Sequence, residues 1–399
     1  MIPAGRLSAA IEVLSDIEAR RRPAAEALKD WGLAHRFAGA GDRAAIAGLL
    51  YDALRRKASA AWIMGSDAPR AILLGMLARE RGLELAAIER LADGSRFAPP
   101  RLSDEERRRL AARDLDGAPA CVLGDYPEWL DPALRETFGE ERAAEGAALA
   151  SRAPLDLRVN ALKWTREEAE AELAHLQAEP TPWSPQGLRI RLGAEAKAPA
   201  IQAEPAFLKG RIEIQDEGSQ LAALFAGAKP GEQAIDLCAG GGGKTLALAA
   251  SMDNRGQIYA HDLDVRRLAP IHARLARAGA RNVQVRTPRL APSPARGGGL
   301  KGDVLADLAG RADLVLVDAP CTGTGVWRRN PDAKWRMRPG AIDQRRKEQA
   351  DLLARAAGLV KPGGRIAYVT CSVLGVENGE QVRAFLNRHP EFAVTPPTR

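Results

Sequence analysis

Between Ala234 and Thr245 the chain reads AIDLCAGGGGKT: a short apolar run, an acid, a cysteine, and four consecutive glycines ahead of Lys244 and Thr245. Glycines let the backbone take positive φ and approach a ligand closely, and a helix that opens after them points unpaired N–H groups at whatever lies there. Strand, turn, helix is the pattern, and it suits a phosphate or an adenosyl cofactor. Two more stretches carry thiols: Asp318-Ala319-Pro320-Cys321 follows the apolar run Leu314 to Val317, and Thr370-Cys371-Ser372 closes another such run. A buried cysteine is ordinarily a small hydrophobe. Placed at consecutive strand ends beside a glycine loop, a thiol is instead a candidate for covalent catalysis.

Three cofactor classes compete for the loop. AGGGGKT ends like a phosphate-binding P-loop, and the strand ending at Asp318 resembles one that carries a magnesium-binding acid, but the opening glycine of G-x-x-x-x-G-K-T falls at residue 238, which is Cys238. The G-x-G-x-x-G spacing of a dinucleotide fold fails too, since Gly240 and Gly242 are followed by Thr245. An S-adenosyl-L-methionine site asks for an acid before the glycine turn and a second acid at the end of the next strand, whose two oxygens take the ribose hydroxyls. Asp236 and Asp262 stand in those places, with Asp264 competing for the neighbouring helix N-cap. The thiols then acquire a task. Carbon 5 of cytosine is too weak a nucleophile to take a methyl group unaided, whereas a thiolate added to carbon 6 makes an enamine that is nucleophilic at carbon 5.

The elements that must position these residues alternate. Gln233 to Leu237, Gln257 to Ala260, Asn282 to Val285, Asp313 to Val317 and Arg365 to Thr370 are predicted buried strands, with helices after Lys244, around Asp264, near Gly340 and beyond Val376. Such alternation predicts an α/β fold: a Rossmann-like, mostly parallel sheet that binds ligands at the carboxyl ends of its strands. Thr287 to Gly302, rich in Pro and Gly, reads as a long surface loop. Upstream, Leu155 to Val159 and Leu188 to Leu192 alternate like strands around a helix from Thr165 to Gln177, with Thr165 as N-cap and Glu168 three residues on. From Leu7 to about Phe138 the pattern is helical, as in Ile11, Leu14, Ile17 and again in Ile46, Leu49, Leu50, Leu54, with Gly41-Asp42 as a candidate N-cap. Three regions follow: an all-α domain over 1–140, a small α/β segment over 141–205 and a catalytic domain over 206–399. The charge run Glu105 to Arg109 reads as a solvated helix face.

A net charge of +7 favours an anionic partner such as nucleic acid. Cys121, Cys238, Cys321 and Cys371 show no C-x-x-C spacing, so neither a metal site nor a disulfide framework is signalled. No apolar run is long enough to cross a membrane and no signal-peptide core is present, so a cytoplasmic protein without membrane partners is expected. Trp327 to Lys347 holds eight Lys or Arg and two Trp. Cations mixed with aromatics suit single-stranded RNA, with Arg328, Arg329, Lys334 and Arg336 as phosphate ligands; Trp335 reads equally as a stacking platform or a core anchor.

DLCAGGGGKT, LVDAPCTGTGVWRRNP, VTCSV and the earlier IQDEGSQ together resemble the Nop/Sun family of adenosylmethionine-dependent RNA cytosine-5 methyltransferases, from roughly Pro154 onward. The upstream helices resemble the NusB-like RNA-binding domain of that family's bacterial ribosomal member, and the small segment an RRM-like fold. The resemblance implies methylation of a cytosine in RNA, expected in 16S rRNA, that is unpaired or flipped out, because a duplex hides carbons 5 and 6. It implies that Cys371 is the nucleophile and Cys321 the thiol that assists release; the residues alone do not rank the two. It also implies that Asp318 contacts the cytosine edge near the cofactor, that Cys238, Ala239, Gly240, Gly241, Gly242, Gly243 and Lys244 form the cofactor loop, and that Asp262 holds the ribose. Two departures stand out. Gly240 and Gly241 replace the family's Ala and Pro, which predicts a looser loop and weaker cofactor binding. Thr287, Pro288 and Arg289 stand where the family has an acid that reads the adenine amine, with Asp303 the nearest substitute. Loss of turnover would leave an RNA-binding ribosome-assembly factor, and a P-loop-type nucleotidase is the other alternative.

Overall fold

Helices with apolar residues three and four apart build the first of two units, comprising Met1–Ala153, Thr322–Ala341 and Cys371–Val376. The computed structural model describes residues 1–193, 199–287 and 303–396. From helix Pro3–Arg20, residues Leu7, Ala10, Leu14 and Ile17 are buried, and from helix Ala40–Arg55, residues Ile46, Leu50 and Leu54. Between Ala71 and Ala78 every residue of helix Pro69–Arg79 is buried, so this helix is the unit's axis. Its Gly75 permits the approach, because a Cβ there would lie 2.6 Å from the Ala60 carbonyl oxygen. Helix Ala40–Arg55 starts two to three positions earlier than the Gly41-Asp42 cap predicts: Gly39 is its N-cap, and Asp42 sits at the third helical position, where its carboxylate accepts the Gly39 N–H. Helices continue to Ala150. Of the run Glu105 to Arg109, Glu105 pairs along its own helix surface with Arg108 and Arg109, while Glu106 takes Arg70 and Arg107 takes Glu89 from other helices.

The segment Thr322–Ala341 is threaded into this helical unit. Trp327 is 1% exposed, and the Trp335 indole N–H donates to the Leu54 carbonyl at 2.6 Å. Lys334 is fully buried, its ammonium donating to the carbonyls of Arg55 (3.2 Å) and Asp125 and lying over the Trp327 and Trp335 rings. Asp332 accepts the Ala24 N–H, and Arg55 donates to the carbonyls of Arg328 (2.7 Å) and Ser151 (3.0 Å). The expectation that Lys334 is a phosphate ligand is therefore corrected, as is stacking by Trp327; of the two readings of Trp335, its bond to Leu54 supports the core anchor. Burial lowers the Lys334 pKa to about 7, since two carbonyls solvate an ammonium less well than water does.

The second unit comprises Pro154–Cys321, Ile342–Thr370 and Glu377–Arg399, and contains two sheets. β1 (Leu155–Val159), β2 (Glu179–Pro180), β3 (Gly187–Ile190) and β4 (Ile212–Ile214) form an antiparallel sheet in the order β2-β3-β1-β4. Leu157, Val159, Leu188, Ile190 and Ile212 pack on Ala169 and Leu173. Thr165 and Glu168 form the expected capping box, but the helix they open, Arg166–Glu172, gives way to a 3₁₀ turn at Ala174–Leu176.

β5 (Gln233–Asp236), β6 (Gln257–His261), β7 (Val283–Arg286), β8 (Ala312–Asp318) and β9 (Val360–Val369) form a parallel sheet in the order β7-β6-β5-β8-β9. Its central strands are buried on both faces: Ala234, Leu314 and Leu316 meet Leu248 and Met252, while Ile235, Val315 and Val317 meet Leu352 and Ala356. β7 and β9 were expected to be fully buried but are the edges, and most of their residues are half-buried or exposed. The chain runs from β5 outward to β7, then returns to β8 on the other side of β5, so the strand order reverses between β5 and β8. Most of the Pro/Gly-rich loop read over Thr287 to Gly302 lies outside the described residues. Among those described, no helix is long and apolar enough to cross a membrane.

Lys334→Met strands two carbonyl acceptors and leaves buried Asp125 with Arg56 but without the second cation that faces it. We expect it to lower stability to urea by roughly 2–4 kcal/mol while leaving unchanged the salt dependence of binding to the polyanion that the net charge predicts. Wild-type stability with a shallower salt slope would show that Lys334 meets phosphate after all.

Candidate functional site

A reversal of strand order leaves a crevice at the carboxyl ends of the two strands involved, because the connections on either side leave in opposite directions. At the end of β5 the loop Cys238 to Lys244 is pinned to β6: the Ala239 N–H donates to the His261 carbonyl at 2.8 Å and the Gly240 N–H to Asp262 Oδ2 at 2.9 Å. Gly240 and Gly242 have φ of 49° and 84°. At Gly242 a Cβ would lie 2.5 Å from Ile271 Cγ1, so only glycine fits. The loop then opens helix Gly243–Ser251.

Asp262 is 4% exposed and sits just past the end of β6. Its Oδ1 accepts the Asp264 N–H at 2.8 Å, which leaves each carboxylate oxygen one further acceptor position. The helix N-cap belongs to Asp264, whose side chain accepts the Arg266 N–H. Asp236 is fully buried; its Oδ2 accepts the Thr245 hydroxyl at 2.6 Å, and among the described residues its Oδ1 has no hydrogen-bond partner of good geometry. Burial raises its pKa to about 7. Lys244 reaches across to β8 and donates to Asp318 Oδ2 at 2.7 Å. Burial also pushes the Cys238 thiol up, so this cysteine is a neutral wall of the loop.

Two tethers hold the thiol-bearing turns, each within one unit. Gln349, buried on helix Ala341–Leu359, donates to the Pro320 carbonyl (3.1 Å), immediately before half-buried Cys321, and to Glu377 Oε1 (3.0 Å). Around exposed Cys371, the Gly325 N–H donates to the Cys371 carbonyl at 2.9 Å, and buried Thr324 accepts the Val373 N–H at 2.9 Å while its hydroxyl meets Ser372 Oγ at 3.1 Å. Neither Gln349 nor Thr324 was singled out from the sequence. Gln349 carries a usable signal, a lone amide on the apolar stripe with Leu352, Leu353 and Ala356; Thr324 carries none. The register of β8 with β9 pairs Asp318 with Val369, so the DAPC and TCS turns leave neighbouring strand ends.

Of the proposed RNA ligands, Arg336 is exposed and paired with Asp332 at 3.0 Å, whereas Arg328 is half-buried and donates to the Arg152 carbonyl at 3.1 Å. Arg329 is half-buried. Pro288 and Arg289 lie outside the described residues. Asp303 is held by Arg355 at 2.6 Å.

Residues 223–398 match the family described as 16S rRNA methyltransferase RsmB/F, and residues 126–195 match the ferredoxin-like domain of RsmF/B-like methyltransferases. A probable ribosomal RNA small subunit methyltransferase B from Synechocystis is 33% identical over 321 residues, 79% of this chain and 69% of the relative. The chain belongs to the RsmB/F family of 16S rRNA methyltransferases. Ribosomal RNA small subunit methyltransferase B of Salmonella newport is 34% identical over 68% of this chain and 59% of its own length. The crystal structure of PH0851 covers 100% of the chain and 92% of its own, with 27% identity and a TM-score of 0.71. Family membership makes S-adenosyl-L-methionine the cofactor. The loop fits such a group: a glycine cradle, a buried acid with acceptor capacity to spare at Asp262, and an unsatisfied buried oxygen at Asp236.

Asp236 also sets a pH signature. Its carboxyl binds a proton more tightly folded (about 7) than at its ordinary value of 3.8, so its favourable contribution is complete below 3.8 and is lost as pH rises through 7. Asp236→Asn keeps an acceptor for Thr245 without the charge. Relative to wild type it should gain roughly 2–3 kcal/mol more at about pH 8.5 than at about pH 5 in urea titrations. An offset independent of pH would mean that Asp236 is ionised throughout.

Proposed function

We propose that this RsmB/F-family protein transfers a methyl group from S-adenosyl-L-methionine to carbon 5 of a cytosine in small-subunit rRNA, through a covalent bond between Cys371 and carbon 6. The observation that carries the proposal is the β8–β9 register, which starts both cysteine turns from neighbouring strand ends at the same carboxyl end of the sheet as the glycine loop. When bound, the cofactor supplies an electrophilic methyl group on a sulfonium. Cys238 to Lys244 cradle it and Asp262 accepts its ribose hydroxyls. The Cys371 thiolate adds to carbon 6, forming the S–C bond and moving the ring electrons to carbon 5, which then takes the methyl group. Cys321 assists removal of the proton from carbon 5; those electrons re-form the double bond and expel the Cys371 thiolate. Asp318, steadied by Lys244, keeps a carboxylate oxygen for the cytosine edge. Exposure of Cys371 suits attack on a base presented from outside, and the base must be unpaired or flipped.

Arg336 is the favoured phosphate ligand among the four basic residues named, with Arg328 and Arg329 able to contribute only their outer edges. The all-α region expected over 1–140 is proposed as a NusB-like RNA-docking domain that takes in helix Arg142–Ala150 as well, and the small segment expected over 141–205 as an RRM-like one that takes in β4.

With labelled S-adenosyl-L-methionine and unmodified small-subunit rRNA, Cys371→Ala should lose methyl transfer by at least about a thousandfold. Cys321→Ala should instead accumulate a protein–RNA adduct that survives denaturing electrophoresis. Wild-type turnover by Cys371→Ala, with label in a base other than cytosine, would sink the mechanism.

A further inference from the structure

The glycine loop was expected to be loose, yet the structure ties it down from outside. Helix Ile271–Ala278 presents two residues one turn apart to it: Ile271, packed where a Gly242 side chain would be, and Arg274, whose Nη1 donates to the Gly241 carbonyl at 2.6 Å. The same guanidinium donates through Nη2 to Glu213 Oε2 at 3.0 Å. Glu213 belongs to β4 of the antiparallel sheet, is 2% exposed, and takes Arg277 on its other oxygen. From the same strand end, the Gln215 amide lies 3.6 Å from where a Gly243 Cβ would stand. We propose that Arg274, oriented by Glu213, is a positioning residue for cofactor binding: it holds the Gly241 carbonyl in place of the ring that fixes φ in a proline-containing loop.

The physics favours this arrangement. A run of four glycines loses more conformational entropy on ordering than any other sequence of its length, and a ligand that orders it bears that cost in affinity. A charge-assisted hydrogen bond to one carbonyl, from a planar fork whose other arm is held by a buried carboxylate, orders the loop before the ligand arrives. The small antiparallel sheet thereby takes part in cofactor binding without touching the cofactor. The inference rests on the assignment of this loop to S-adenosyl-L-methionine.

Calorimetry with S-adenosyl-L-methionine and amide hydrogen exchange on the cofactor-free full chain test it together. Arg274→Met, which keeps the aliphatic stem, should weaken binding about tenfold and speed exchange at Gly241 to Lys244, with KM for the cofactor rising and kcat retained. Arg274→Lys reaches one partner at a time and should fall between the two; it also serves as the comparison if the Met variant is globally destabilised. Affinity and exchange in both variants equal to wild type would overturn the clamp while leaving the cofactor site standing. A wild-type protein that gives no binding heat would remove the cofactor assignment, and the clamp with it.

Discussion

Everything in the second unit follows from one topological constraint, the reversal of strand order between β5 and β8. Parallel strands need crossovers over the sheet faces, and where successive crossovers depart in opposite directions no connection covers the strand ends. That opening is where the chain places its glycines, Asp262 and Asp318. It also explains why β5 and β8 are the most buried strands of the parallel sheet: lying at the centre, they must satisfy two cores at once, one through Ala234, Leu314 and Leu316 and the other through Ile235, Val315 and Val317.

The helical unit supplies a second constraint. The chain between the DAPC turn and helix Ala341–Leu359 does not stay with the sheet but is gripped by helices, through Lys334 on two carbonyls, Trp335 on Leu54 and Arg55 on Arg328. Cys371 and Ser372 belong to the same unit and share hydrogen bonds with Thr324 and Gly325 from that gripped segment. The helices are thus a structural foundation for the turn that carries the exposed thiol, whatever else they dock.

Legibility divides along the range of the interactions concerned. The parallel strands and the acids at their ends could be read because burial on two faces demands continuous apolar runs, and a run that stops at Asp or Cys announces its own end. Trp327 to Arg338 could not be read: WRRNPDAKWRMR has the same composition whether its side chains face water or are enclosed. What decides is a pair of carbonyls, at Arg55 and Asp125, more than two hundred positions away. Glu213 and Arg274 were invisible for the same reason, being ordinary charges until a sheet and a helix bring them together. The edge positions of β7 and β9 are not legible either, because periodicity reports which residues are apolar, not how many neighbours a strand acquires.

Glycine at positions 240 and 241 looks like a defect when the loop is considered alone, since each one enlarges the set of conformations the unbound chain can visit. The structure changes the terms of that comparison. Gly240 N–H is held by Asp262, Gly241 carbonyl by Arg274, and Gly242 is confined against Ile271, so three successive residues are restrained by three side chains, one from β6's end and two from helix Ile271–Ala278. A proline restrains φ in folded and unfolded chains alike, whereas these contacts exist only once the fold has formed. The order of the loop is consequently a property of the neighbouring packing: it is inherited from Glu213 on one sheet and Asp262 beside the other, and it can be lost by a change in either without any alteration to the loop's own sequence.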